Sequence, residues 1–188
     1  MTENTVLALV GSLRNGSTNK QLAEAAAQLA PTGTTIVIHE GLADIPFYNE
    51  DVDLPDAAPV EAQRLREAAE NADAVLFFTP EYNGTIPAVL KNAIDWLSRP
   101  FGDGAIKGKP TAVVGTAYGQ YGGVWAHDDA RKSLKIAGAN VVEEAKLSVP
   151  GSLVRFAEVH PKDDAEVSGQ LSEILQTLLG AVNDKVAA

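Results

Sequence analysis

The sequence predicts an α/β fold in which five parallel strands form one sheet with helices on both faces. Three observations lead there. Short β-rich runs alternate along the chain with segments of helical spacing. The first, third and fourth runs are almost continuously apolar, as strands covered on both faces must be. Each run is followed by a helical segment, so neighbouring strands are joined by crossovers and not by hairpins.

The first strand is predicted over Thr5–Val10 (TVLALV), the second over Thr34–His39 and the third over Ala74–Thr79. The fourth is placed at Thr111–Thr116 and the fifth at Asn140–Glu144. Helices are predicted over Asn19–Leu29, Val60–Asn71, Pro87–Ser98 and Val124–Ala137. A last one near Asp163–Asn183 carries Val167, Leu171, Ile174, Leu175, Leu178 and Val182 at helical spacing. Right-handed crossovers leave few arrangements for five such units, and the order 2-1-3-4-5, a flavodoxin-like three-layer sandwich, is the expected one. No repeat, low-complexity tract or linker interrupts the pattern, so residues 1–188 read as a single domain.

Composition narrows the function. Fifteen Lys and Arg against twenty-five Asp and Glu give a net charge of −10, which repels phosphate backbones and anionic lipid. Neither nucleic acid nor a membrane is an expected partner. The absence of cysteine excludes disulfides, thiolate catalysis and iron–sulfur clusters. His39, His127 and His160 are too scattered to suggest a metal site. No basic leader followed by an apolar run opens the chain, and no apolar stretch approaches the roughly 18 residues of a spanning helix. A cytoplasmic protein is expected.

Sheets of this kind bind ligands beyond the carboxyl ends of their strands, so the loops after strands 1, 3 and 4 carry the functional reading. The first is Gly11-Ser-Leu-Arg-Asn-Gly-Ser-Thr-Asn19. Free N–H groups at a helix start attract an anion, and Ser12, Arg14, Ser17, Thr18 and Asn19 add donors. A plain βα turn needs one capping residue, whereas this loop offers five polar donors and two glycines. The loop lacks the lysine of a P-loop and the G-x-G-x-x-G of a dinucleotide site, so a terminal monophosphate such as that of FMN fits best. The second loop, Thr79-Pro-Glu-Tyr-Asn-Gly-Thr-Ile-Pro87, is stiffened by its prolines. Gly84 permits close approach to a flat ring, Tyr82 can cover it and Asn83 can bond its polar edge. The alternative is that Tyr82 packs and Asn83 turns the chain. The third loop, Gly115-Thr-Ala-Tyr-Gly-Gln-Tyr-Gly-Gly123, supplies Thr116, Ala117 and Tyr118 as ring-edge candidates.

The segments GSLRNGSTN at 11–19, DIPFYNED at 44–51, PEYNGTIPAVLKNAIDW at 80–96 and KPTAVVGTAYGQYGG at 109–123 resemble the NADPH-dependent FMN reductase family, especially its chromate/quinone reductase branch. The resemblance implies FMN held non-covalently, its phosphate on Ser12, Arg14, Ser17, Thr18 and Asn19. Pro80, Glu81, Tyr82, Asn83 and Gly84 would run along the isoalloxazine ring. Many relatives carry Ser where this chain has Ala117.

No nucleophile–base pair stands out, and no G-x-S-x-G elbow occurs. A flavin removes the need for one, because the cofactor carries the chemistry. The expected activity is hydride transfer from NADPH or NADH to FMN, then reduction of a quinone, flavin, chromate or azo compound. The rival readings are a flavodoxin-type electron carrier and a redox-responsive FMN-binding protein without turnover. A homodimer or homotetramer is also expected. Leu90, Ala93, Ile94 and Leu97 fill one stripe of the third helix, and Val89 with Trp96 forms a second about 100° away. A large indole beside a satisfied core face, with Phe101 just beyond, suggests a partner surface.

Overall fold

A computed structural model of the protein describes residues 3–55 and 57–187. Five strands are present: β1 (Asn4–Val10), β2 (Thr34–Ile38), β3 (Ala74–Phe78), β4 (Pro110–Thr116) and β5 (Asn140–Val149). They form one all-parallel sheet in the order β2-β1-β3-β4-β5, the arrangement expected from the sequence. The helices are α1 (Thr18–Gln28), α2 (Val60–Glu70), α3 (Ala88–Leu97), α4 (Val124–Ile136), a short α5 (Ser152–Arg155) and α6 (Ala165–Ala187).

Side chains alternate between the two faces of a strand, and this divides the core in two. Val6, Ala8, Leu76, Phe78 and Val114 point to one face, where α1 brings Leu22 and Ala26 and α6 brings Leu171, Leu175 and Leu178. Leu7, Leu9, Val75, Phe77 and Val113 point to the other, against Leu65 of α2, Leu90, Ile94 and Leu97 of α3, and Leu134 of α4. Both faces being covered is why β3 and β4 are buried along their whole length.

Strand β5 runs to Val149, five residues beyond its predicted end. The extension alternates: Ala145, Leu147 and Val149 are buried while Glu144 and Lys146 are exposed. It forms an edge with a register shift against β4 between Thr111 and Val113.

The structure corrects the reading of Trp96. Its ring is fully buried within the chain, so it offers no surface to a partner. The segment between β2 and α2, which carries two short 3-10 turns at Leu42–Asp44 and Glu50–Val52, folds over α3 and covers it. Trp96 Nε1 donates to Pro46 O at 2.8 Å, and Asn92 Nδ2 donates to the same oxygen at 3.0 Å. Tyr48 N donates to Asn92 Oδ1, and the Tyr48 ring meets the indole edge-on at 5.0 Å. Arg66 stacks over the indole at 5.2 Å and forks onto Asp53 at 2.7 and 2.8 Å. Those bonds hold the Asp53 carboxyl below its ordinary pKa. Phe101, by contrast, is 90% exposed.

Candidate functional site

The carboxyl ends of β1, β3 and β4 lie side by side, which brings the three loops together. They converge on Gly115. A Cβ added there would sit 2.1 Å from Thr79 O, 2.7 Å from His127 Nε2 and 3.0 Å from Asn19 Oδ1. Only glycine fits where parts of β1's helix, β3 and α4 meet.

Loop 11–17 leads into α1, with Ser17 as N-cap: its Oγ accepts from Lys20 N at 3.2 Å. The N–H groups of residues 13–16, Thr18 and Asn19 have no acceptor among the described residues. Arg14 is exposed and makes no ion pair among them; its Nη1 reaches only Asn15 O, at 3.3 Å. Unpaired donors, a free guanidinium and the positive end of an eleven-residue helix together favour an anion. A cavity of about 280 Å³ opens beside this loop, lined by Ser12, Arg14, Asn15, Lys20, His39 and Glu40. A monophosphate fits these donors. The Asn19 side chain, however, is turned inward. Its Nδ2 donates to Thr116 O at 2.9 Å and its Oδ1 accepts from Thr116 N at 3.0 Å, so only its backbone N–H remains for a ligand.

In the second loop Thr79 is buried, its hydroxyl donating to Pro80 O. Tyr82 and Thr85 exchange two backbone hydrogen bonds around Asn83 (φ 55) and Gly84 (φ 78). Two successive left-handed residues make this a primed hairpin turn, which explains the Asn-Gly pair. Tyr82 stands half exposed at its base. The Glu81 carboxylate is committed elsewhere. Its Oε2 accepts from Trp125 N at 3.1 Å and Ala126 N at 3.2 Å. The α4 N-cap is Gly123, which has no side chain to offer, so Glu81 supplies the cap from another loop. Thr85 Oγ1 donates to Asp129, a second stitch between this loop and α4.

In the third loop Thr116 is buried, and its hydroxyl donates to Val149 O at 2.8 Å. Ala117 N donates to Val149 O, and Ala117 O accepts from Ser152 N. These two residues tie β4 to β5 and α5. Tyr118, 71% exposed, is the ring-edge candidate whose side chain stays open.

Sequence reasoning passed over two residues here. His127 is wholly buried, with Nε2 3.1 Å from Thr79 O and Nδ1 2.7 Å from Ser148 Oγ. Because a carbonyl only accepts, the network assigns the neutral tautomer with the proton on Nε2. Burial lowers its pKa to about 4. Trp125, in the first turn of α4, is half exposed and meets the Tyr121 ring at 5.1 Å. His127 acts through partners more than 20 residues away, a relation that local periodicity does not record.

The NADPH-dependent FMN reductase family matches residues 4–153 of this chain. A quinone reductase of Pseudomonas putida is 40% identical over 184 residues, which is 98% of this chain and 93% of that protein. An NAD(P)H-dependent FMN reductase of Pseudomonas aeruginosa is 43% identical over 151 residues, 80% of each chain. Among solved structures, the flavoenzyme NAD(P)H:(acceptor) oxidoreductase FerB of Paracoccus denitrificans superposes with a TM-score of 0.76. It is 29% identical, and the match covers 95% of this chain and 98% of that one.

Proposed function

We propose, from the premise that this chain belongs to the NADPH-dependent FMN reductase family, that it is an NAD(P)H-dependent quinone reductase. Its cofactor is FMN and its hydride donor NAD(P)H. When bound, FMN supplies the two-electron chemistry, for a net reaction in which NAD(P)H, a proton and a quinone give NAD(P)⁺ and the hydroquinone. The chain's own residues bind and orient. The Ser12 and Ser17 hydroxyls, the Arg14 guanidinium and the N–H groups of Thr18 and Asn19 take the phosphate. The backbone from Pro80 to Gly84 runs along the ring, with Tyr82 and Tyr118 at its margins. His127 is no proton shuttle, since both ring nitrogens are held by Thr79 O and Ser148 Oγ. The observation that carries this reading is the set of unpartnered donors around Arg14, on a loop that starts beside the end of β3, where the strand order reverses.

Two measurements test it. NADPH or NADH should bleach the bound flavin anaerobically without a partner protein, and a quinone should restore the colour. A flavin that neither nucleotide reduces over minutes would make the protein an electron carrier instead. Arg14→Ala should weaken FMN binding by about 2 kcal/mol, the scale of a hydrogen bond between charged groups, and leave riboflavin binding nearly unchanged. Equal losses for both ligands would make Arg14 a structural residue.

The working form is at least a dimer, and the setting is the cytoplasm, where NAD(P)H is supplied. With Trp96 buried, the surface that supports pairing is a groove of about 460 Å³ between α3 and α4. Exposed Phe101 and Ile136 flank it over Ile94. Apolar side chains at this exposure are characteristic of interaction surfaces. Sedimentation should give at least twice the chain mass, and Phe101→Glu should shift it towards the monomer. Wild-type monomer at micromolar concentration would end this proposal.

A further inference from the structure

We infer that the Tyr121–Trp125 pair forms an aromatic wall of the acceptor position, selecting flat neutral rings over small hydrated anions. The inference rests on the reading of this chain as an NAD(P)H-dependent FMN reductase and assigns residues that set its acceptor preference.

Helix α4 buries Ala126, Ala130 and Leu134 against the sheet, so Trp125 lies off the core face. A half-exposed indole contributes little to the fold there. Its place is nevertheless fixed. The Trp125 N–H is bound by Glu81, and the Thr85–Asp129 bond anchors the following turn. The backbone that carries the indole is thereby referenced to the 80–84 loop, the stretch assigned to the flavin ring. Tyr121 meets it at an interplanar angle of 61°, and the two rings are 56% and 53% exposed. Such an open pair gives a third ring faces and edges to pack on.

Charge points the same way. Glu81 and Asp129 reach this turn of α4 through hydrogen bonds, Asp128 is neutralised by Arg131, and the chain has a net charge of −10. Arg14, the free cation of the site, is assigned to the cofactor phosphate. An approaching chromate dianion therefore meets carboxylates and apolar rings, whereas a neutral naphthoquinone meets surfaces on which it can stack.

The test uses FMN-loaded enzyme reduced with one equivalent of dithionite and mixed with 1,4-naphthoquinone or chromate, which isolates the acceptor step. Trp125→Ala should raise the naphthoquinone concentration that half-saturates the rate of flavin reoxidation roughly tenfold, while the conservative Trp125→Phe should stay within about threefold of wild type. The rate of reoxidation by chromate should change less than about twofold in both variants, the size of effect expected where no ring contact is lost. Naphthoquinone binding to the oxidised holoenzyme, read as a perturbation of the flavin spectrum without turnover, should weaken in the same proportion. Parallel losses for both acceptors, or no change for either, would overturn the assignment. Wild-type protein that retains no FMN, or whose flavin neither nucleotide reduces, would instead overturn the reading beneath it.

Discussion

Trp96→Ala is expected to destabilise the protein by about 3–5 kcal/mol, the range for deleting a large buried aromatic. Four losses combine in one change. The indole leaves a cavity beside Leu65, Leu97 and the other buried side chains of that face. Arg66 loses the ring beneath its guanidinium, and Tyr48 loses its edge contact. Pro46 O loses one of its two donors and keeps the other, Asn92 Nδ2. Because that oxygen stays bonded, Trp96→Phe should cost far less, about 1–2 kcal/mol. The damage should also be directional. In Trp96→Ala the segment 42–53 keeps Asn92, the Arg66–Asp53 fork and the burial of Leu42 and Ile45 but loses the indole beneath it, so its amides should exchange faster than those of β3 and β4. Urea titrations give the energies and native-state hydrogen exchange gives the location. Trp96→Phe should sediment as wild type does. A change of assembly with the fold intact would return Trp96 to a subunit interface.

That case marks where the sequence is legible and where it stops. Strands β3 and β4 could be read because burial on both faces leaves an unbroken apolar run, and the loops because glycine, proline and small polar residues cluster after each strand. The far half of β5 carries the alternation of a half-buried edge strand, with Ala145, Leu147 and Val149 inward, but the Glu143-Glu144 pair ahead of it reads as a strand end. The Trp96 indole could be placed about 100° from the core stripe of its helix, but not under a segment 50 residues away. The same limit applies at the site. The polar residues of loop 11–19 announce an anion, yet nothing local separates Ser17, which caps its own helix, from Asn19, which reaches Thr116 97 residues on. Glu81 stands within the stretch proposed to run along the ring and serves the first turn of α4 instead. Side chains that join loops to one another carry no periodicity, so composition locates the site without dividing labour inside it.

The joint that closes those loops should make the protein acid-sensitive in a defined window. His127 is neutral in the fold, with a pKa lowered to about 4 from 6.5. Burial is the main cause; the bond to Thr79 O opposes it, and the Arg131 cation adds to it. Between those two values the unfolded chain binds a proton that the folded chain refuses. Stability therefore rises with pH across the window, is complete above pH 6.5 and is lost as pH falls towards 4, by about 3 kcal/mol in all. His39, lowered by partial burial, adds a contribution of the same sign. Asp53 and Asp164 act in a separate, lower window, because their depressed pKa values withhold any loss until pH falls below 3.8. Urea midpoints at pH 7, 5.5 and 4.5 should decline in wild type. FMN should be released over the same range, since Thr79 leads into the 80–84 loop. His127→Gln keeps a donor for Thr79 O and an acceptor for Ser148 Oγ but cannot titrate. It should start from a lower midpoint at pH 7 and fall much less on acidification, leaving the slope that His39 contributes. An undiminished slope in the glutamine variant would place the acid-sensitive group elsewhere and leave His127 a packing residue only.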